Sequence, residues 1–205
     1  ANGVSRLHGY ISRRMWQEGW PGVPTAEIPI GHITNGVHVP SYAGPAMRPV
    51  LETALGADWA SLQADDPVWK RLADVPDDAL WTARLWQKKR LLDAVRSSLP
   101  QYCKTLGVPY EKQKEMASRL TANSLVIGFA RRFAPYKRAN LLFADVNRLA
   151  RILGNDGRPV VVIFAGKAHP ADTQGIDIMQ EVVRHTISPE LLGKVFFLKD
   201  YDLRI

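Results

Sequence analysis

The densest group of chemically active residues in the 205-residue sequence is a basic segment, Phe129-Ala130-Arg131-Arg132-Phe133-Ala134-Pro135-Tyr136-Lys137-Arg138. Four cations fall within residues 131–138, which contain no acid. Arginine offers a planar fork of donors and lysine a compact point charge, a combination that suits a phosphate group. The segment therefore predicts an anion-binding turn. A solvated basic turn and a nucleic-acid patch are the alternatives that these residues leave open.

A second polar segment follows another apolar run and reads Gly166-Lys167-Ala168-His169-Pro170-Ala171-Asp172. Its glycine permits a tight turn, and Asp172 is suited to cap a following helix. Lys167 and His169 are candidates to face a ligand, with packing of the turn as the alternative. Three of the five histidines, His8, His32 and His38, lie near the start of the chain without close spacing or acidic companions, so no metal site is predicted.

Three apolar runs position these segments: 125–129, 160–164 and 195–198. Near-continuous apolar character is typical of parallel strands that are covered on both faces, so three buried strands are predicted. The stretches 138–153 and 172–187 carry apolar residues at helical spacing, which predicts a β-α-β-α-β order. Ligands bind beyond the carboxyl ends of such strands, where a helix N-terminus after the basic segment would also favour an anion.

The fold class predicted from these elements is α/β with an incomplete parallel sheet, because open sheets usually have about five or six strands. An exposed edge on the third strand would then promote association between copies of the chain. Residues 1–55 are rich in Gly, Pro and His and predict loops, with one helix near 5–16. Further helices are expected over 77–99, with Asp77 or Asp78 as cap and Trp81 on the buried face, and over 110–120.

The composition excludes several classes of protein. The net charge is +7 and 46% of residues are hydrophobic, which argues against disorder. No apolar run approaches the roughly 20 residues that span a bilayer. One cysteine, Cys103, excludes an intramolecular disulfide and favours a reducing compartment, so the cytoplasm is the predicted location. A start at Ala1-Asn2-Gly3-Val4, without Met or a signal pattern, is expected for an internal fragment.

In four motifs the sequence resembles the α-glucan phosphorylases of glycosyltransferase family 35, over nearly its whole length. The motifs are Asn2-Gly3-Val4-Ser5-Arg6-Leu7-His8, Thr34-Asn35-Gly36-Val37, the segment 130–138, and Gly166-Lys167-Ala168 with Pro170. The resemblance implies a glycosyltransferase-B fold of two Rossmann-like domains. Residues 1–57 would be the tail of the N-terminal domain, and 58–205 the first part of the C-terminal domain. The implied activity is phosphorolysis of α-1,4-glucan to glucose 1-phosphate.

The resemblance also implies roles for single residues. Arg132 and Lys137 match the family's arginine and lysine that hold the substrate phosphate, in agreement with the anion-binding turn. His8 matches the histidine that contacts the glucosyl unit at the cleavage site. Asn35 and Gly36 match a motif that shapes the cleft, and they are the predicted substrate-binding residues.

The family's cofactor is pyridoxal 5'-phosphate, bound as a Schiff base to a lysine and acting through its phosphate. Arg131 matches a basic position near that phosphate. Tyr201 matches a tyrosine of the cofactor pocket, although Asp202 departs from the basic residue of animal enzymes. The Schiff-base lysine lies downstream of this chain in the family, so no lysine here, Lys167 included, takes that role. The fragment alone is therefore predicted to be inactive.

The implied partners are α-glucan and inorganic phosphate, with a homo-oligomer left open and neither nucleic acid nor membrane expected. One rival prediction is a glycogen or starch synthase of the same fold, whose basic turn would hold a nucleotide sugar. The other is a basic nucleic-acid-binding module. Such a module would need cations spread over a face with aromatic platforms, whereas here the cations cluster in one turn and all six tryptophans precede residue 90.

Overall fold

The computed structural model describes residues 1–199, and its first part is built around one helix. A short parallel pair, β1 (Asn2–Gly3) and β2 (Gly31–His32), lies against helix α1 (Arg6–Met15). Helices α2 (Val39–Tyr42) and α3 (Arg48–Leu55) follow, and 3₁₀ turns occupy 17–19, 25–27, 59–61 and 67–74. Of the helices α1, α2 and α3, the sequence predicted only α1. Pro49 marked an interruption, but it lies in the first turn of α3, where a missing N–H leaves no bond unmade.

The second part is a parallel sheet between helices. Helices α4 (Asp77–Leu106) and α5 (Tyr110–Ser118) lead into β3 (Leu125–Ala130). Two 3₁₀ segments, Pro135–Lys137 and Ala139–Phe143, precede α6 (Val146–Leu153), and the chain continues through β4 (Val160–Ala165), α7 (Thr173–Thr186) and β5 (Val195–Leu198). The strands are parallel in the order β3-β4-β5. The predicted α/β class and β-α-β-α-β order are thus confirmed.

The sheet is covered on both faces by separate apolar cores. One core joins α4 and α5 to alternate positions of β4 and β5, with Leu92, Leu99 and Met116 among its buried residues. The other joins α6 and α7 to the opposite positions, with Leu149 and Val182 among its members. Since side chains alternate across a strand, both faces of β4 must be apolar, which explains its continuous hydrophobic run.

Strand β3 departs from the prediction of three buried strands. Leu125 is 59% exposed and Ile127 49% exposed, whereas all four residues of β5 are buried. Within residues 1–199, β3 and β5 each pair with β4 alone, so both are edge strands, and α4 and α7 contact β5. The third strand thus has an unpaired edge within these residues, as predicted, whereas the exposed apolar side chains of β3 were not predicted.

Helix α4 is longer than predicted and begins differently. It continues through Pro100 to Leu106 and ends at Gly107, whose φ of +67° places it in the left-handed region. Pro76 precedes the first turn, with no side-chain bond that caps it, so the predicted aspartate cap is wrong. The prediction that Trp81 lies on the buried face is also wrong, since its side chain is 59% exposed. The buried residues of α4 are Ala83 and then residues from Leu92 onward. No helix within residues 1–199 is both long and apolar enough to cross a membrane.

The Tyr102 hydroxyl links the two helical layers, since it shares a hydrogen bond of 2.5 Å with Thr186 Oγ1 between α4 and α7. Burial raises the pKa of Tyr102 to about 12. The folded chain therefore holds this proton more tightly than the unfolded chain, whose tyrosine titrates near pH 10.

We expect this contribution to stability to be complete below about pH 10 and to be lost as the pH rises toward 12. Urea midpoints of the chain and of Tyr102→Phe, measured at pH 8 and pH 11, test this. The variant should lose less stability between the two pH values than the parent does, because its other tyrosines are unchanged. Equal losses would show that Tyr102 does not carry the effect.

Candidate functional site

The basic turn, defined as residues 131–138, leaves the carboxyl end of β3 and lies along the turn that follows β4. Arg131 N donates to Ala165 O at 3.1 Å, and Phe133 N donates to Lys167 O at 3.0 Å. These bonds extend the pairing of the two strands beyond their ends. The two polar segments that the sequence singled out separately therefore form one structural unit.

Phe133 anchors the basic turn in the core. Its side chain is 1% exposed, and its ring centroid lies 5.8 Å from that of Phe129 and 5.9 Å from that of Phe197. Arg131 and Arg132, immediately before it, are exposed. The buried ring thus fixes one residue of the turn while the neighbouring guanidinium groups face solvent.

The cations of the basic turn have no acidic partners within residues 1–199. The four ion pairs of this part of the chain lie elsewhere and join 96 to 93, 112 to 115, 114 to 111 and 119 to 156. Lys137 is half-buried, with its Nζ 4.6 Å from the ring centroid of Tyr136. A group of cations without acidic partners in this part of the chain is a candidate site for an anion.

A helix N-terminus does not contribute to this site, contrary to the sequence prediction. The predicted helix over 138–153 is divided, and α6 begins only at Val146. Arg138 has a left-handed φ of +53°, and the Asp145 side chain caps α6 by accepting a hydrogen bond from Arg148 N at 2.8 Å. The predicted anion binding by the basic turn therefore depends on its side chains alone.

A second group of predicted residues comes together around Val4. Its backbone N donates to His8 Nδ1 at 3.0 Å, and its carbonyl accepts from Asn35 N at 3.1 Å. Because Nδ1 accepts, a neutral His8 carries its proton on Nε2, which remains a donor. Gly36 is exposed beside Asn35. Tyr201 lies outside the described residues.

Packing therefore gathers the predicted site residues into two groups. Helix α1 contacts β1, β2 and adjoining 3₁₀ turns, and so holds His8 near the loop of Asn35 and Gly36. The basic turn instead contacts the β4 turn and α7.

A cleft of about 870 Å³ adjoins the Gly166–Ala168 turn, between α4 and α7. Its lining includes Lys167, Arg184 and Lys199 together with the rings of Tyr102 and Phe197. From the sequence, Lys167 was a candidate to face a ligand, and Lys199 follows the third strand at the end of the sheet where ligands bind. The others come from two helices and a strand end whose proximity depends on tertiary packing, so no local pattern marks them.

Comparison with known proteins gives three informative relatives. The chain is 35% identical over 202 residues to a maltodextrin phosphorylase of Thermococcus litoralis. It is 39% identical over 203 residues to a glycogen phosphorylase of Mycobacterium tuberculosis, and 36% identical over 202 residues to one of Aquifex aeolicus. The chain is homologous to a segment of these phosphorylases. No protein-family model matches it.

The phosphorylase segment accounts for nearly all of this chain and for a small part of its relatives. The three matches cover 98–99% of the chain but only 24%, 23% and 29% of the relatives' lengths. The resemblance predicted from the four motifs is thus confirmed at the level of sequence. The roles of Arg131, Arg132, Lys137, His8, Asn35 and Gly36 in a phosphorylase stay predictions.

Proposed function

We propose that this chain is part of an α-glucan phosphorylase and that its basic turn holds the inorganic phosphate that cleaves a terminal α-1,4-glucosidic bond, giving glucose 1-phosphate. The observation that carries the proposal is the basic turn itself. Its cations have no acidic partner within residues 1–199, and backbone bonds hold it at the carboxyl end of a parallel sheet. Such sheets bind ligands at that end. Relatives named as phosphorylases support the same reading.

In this proposal Arg132 and Lys137 act by electrostatics and position. The Arg132 fork binds two phosphate oxygens, and the Lys137 ammonium neutralises the charge that remains. Preorganised charges of this kind stabilise a transition state because they need no rearrangement when charge develops. His8 offers its Nε2 proton to a glucosyl hydroxyl, and Asn35 and Gly36 shape the glucan side of the site.

The proposed cofactor is pyridoxal 5'-phosphate, and one described residue suits it. The Arg131 guanidinium is exposed and has no acidic partner within residues 1–199, so it can bind the cofactor phosphate. When bound, the cofactor supplies a phosphate group that donates and accepts a proton. Tyr201 is the second proposed contact, and the attachment lysine belongs to another part of the full-length protein. A cytoplasmic location and a homo-oligomer stay predictions.

The experiment that tests the proposal is a phosphorolysis assay on the full-length protein that contains this chain. With maltoheptaose and inorganic phosphate we expect glucose 1-phosphate and a glucan shortened by one unit, and no product when phosphate is omitted. The isolated 205-residue chain should give no turnover. Glucosyl transfer from ADP-glucose or UDP-glucose without phosphorolysis would favour the synthase instead. Salt-dependent binding of single-stranded nucleic acid, with no phosphorolysis, would favour the nucleic-acid module.

A further inference from the structure

Gly166 makes the closest backbone approach to the basic turn. Its φ is +144°, a conformation that residues with a side chain rarely adopt. A Cβ built on Gly166 would lie 2.1 Å from Arg131 O. Because the obstructing atom is a carbonyl oxygen, no change of side-chain rotamer relieves the contact. A side chain at 166 therefore fits only if the backbone of Gly166 and the backbone of the basic turn move apart.

Gly175, in the first turn of α7, makes a second approach of the same kind. A Cβ there would lie 2.6 Å from Phe133 O and 2.9 Å from the Asp172 carboxylate, whose other oxygen accepts the Gly175 N–H at 2.8 Å. The obstruction by Phe133 O is again backbone, but at 2.6 Å the contact is less severe than the 2.1 Å contact at Gly166, so the required movement is smaller.

These two contacts lie on either side of Arg132. The Arg131 carbonyl, in the peptide group before Arg132, lies against Gly166, and the Phe133 carbonyl, one peptide group beyond the one that follows Arg132, lies against Gly175. The N–H groups of Arg131 and Phe133 donate to Ala165 O and Lys167 O. The peptide groups that precede and follow Arg132 are thus fixed by neighbouring backbone. The exposed guanidinium itself makes no hydrogen bond or ion pair with residues 1–199.

We propose that Gly166 and Gly175 are positioning residues that set where the Arg132 guanidinium meets the substrate anion. The inference rests on the proposed function, because it needs Arg132 to bind phosphate. Gly166 acts through the carbonyl of the peptide group that precedes Arg132, Gly175 acts through the carbonyl of the next residue, Phe133, and neither contacts the anion. A misplacement of about 1 Å at a charged contact can cost about 100-fold in rate. Gly166→Ala should therefore have a large effect, and Gly175→Ala a smaller one.

The test is a double-mutant cycle in the full-length protein, read as kcat/KM for inorganic phosphate at saturating glucan. We expect Gly166→Ala to lower this value about 100-fold and Gly175→Ala about 10-fold, with KM for glucan unchanged. In an Arg132→Ala background, each glycine substitution should cost less than about 3-fold further, because the group that it positions is already gone.

Gly22→Ala is the matched control for backbone strain. Gly22 also has a positive φ, +78°, but apart from its chain neighbours no atom of residues 1–199 lies within 4 Å of a Cβ built on it. The Gly22→Ala substitution should lower the thermal midpoint without changing kcat/KM for inorganic phosphate. If Gly166→Ala does not fold, the Gly175→Ala cycle decides the question.

Three results would overturn the inference. Losses that multiply in the Arg132→Ala background would show that the glycines act independently of Arg132, and they would leave the proposed function intact. Unchanged phosphate kinetics in both folded glycine variants would show that neither glycine positions Arg132, and this result would also leave the proposed function intact. Unchanged phosphate kinetics in Arg132→Ala itself would overturn the proposed function and this inference together.

Discussion

Replacing Arg132 with alanine in the full-length protein should lower kcat/KM for inorganic phosphate about 100- to 1,000-fold, which is the range observed when one preorganised donor is removed from a charged transition state. The structure supports a large effect because the Arg132 side chain makes no ion pair within residues 1–199. Its removal therefore breaks no internal interaction, and the loss should appear in phosphate kinetics with little change in thermal midpoint. Steady-state phosphorolysis at saturating glucan measures it.

Two further variants separate geometry from charge. Arg132→Lys keeps the charge but loses the bidentate fork, so it should recover only part of the activity. Arg158→Ala removes the same charge from an exposed position before β4, at the opposite end of the sheet, and should change kcat/KM less than 3-fold. Equal losses in Arg132→Ala and Arg158→Ala would mean that net charge matters and the phosphate contact does not.

The sequence predicted best those features that depend on short-range patterns. The apolar runs beginning at Val160 and Val195 are the observed strands, because a strand buried on both faces has few polar positions. Asp172 caps α7 as expected, since a cap bond spans only three residues. The basic turn was located correctly at the carboxyl end of β3 because the end of an apolar run marks the end of the strand.

Features set by tertiary contacts could not be predicted in this way. Leu125 and Trp81 are apolar side chains of the kind that is usually buried, yet both are exposed in the structure. Leu125 lies on the first strand of the sheet, and Trp81 lies in the part of α4 that precedes most of its buried residues. Neither position can be recognised from the local sequence. The contact of Gly166 with Arg131 O joins residues that follow two different strands, so a glycine that only permits a turn and a glycine that lies against a distant backbone look identical in sequence. Arg138 gave no signal of its left-handed conformation because arginine has no preference for it.

The buried ring of Phe133 should carry the largest stability effect in the basic turn. Its ring contacts those of Phe129 and Phe197, and it belongs to the core that joins α6 and α7 to the sheet. Phe133→Ala should lower the free energy of unfolding by about 3–5 kcal/mol, because it combines lost apolar burial with a cavity. Urea unfolding of the 205-residue chain, followed by circular dichroism, measures the change.

Tyr136, three residues further along the basic turn, provides the matched aromatic control. It is 71% exposed, and its ring contact is with the neighbouring Lys137 ammonium. Tyr136→Ala should change the free energy of unfolding by less than about 0.5 kcal/mol. If both variants are equally destabilised, the turn is held by its backbone bonds to the β4 turn more than by the buried ring. If only Phe133→Ala is destabilised, the ring anchors the backbone from which Arg132 projects, and core packing and anion binding depend on adjacent residues.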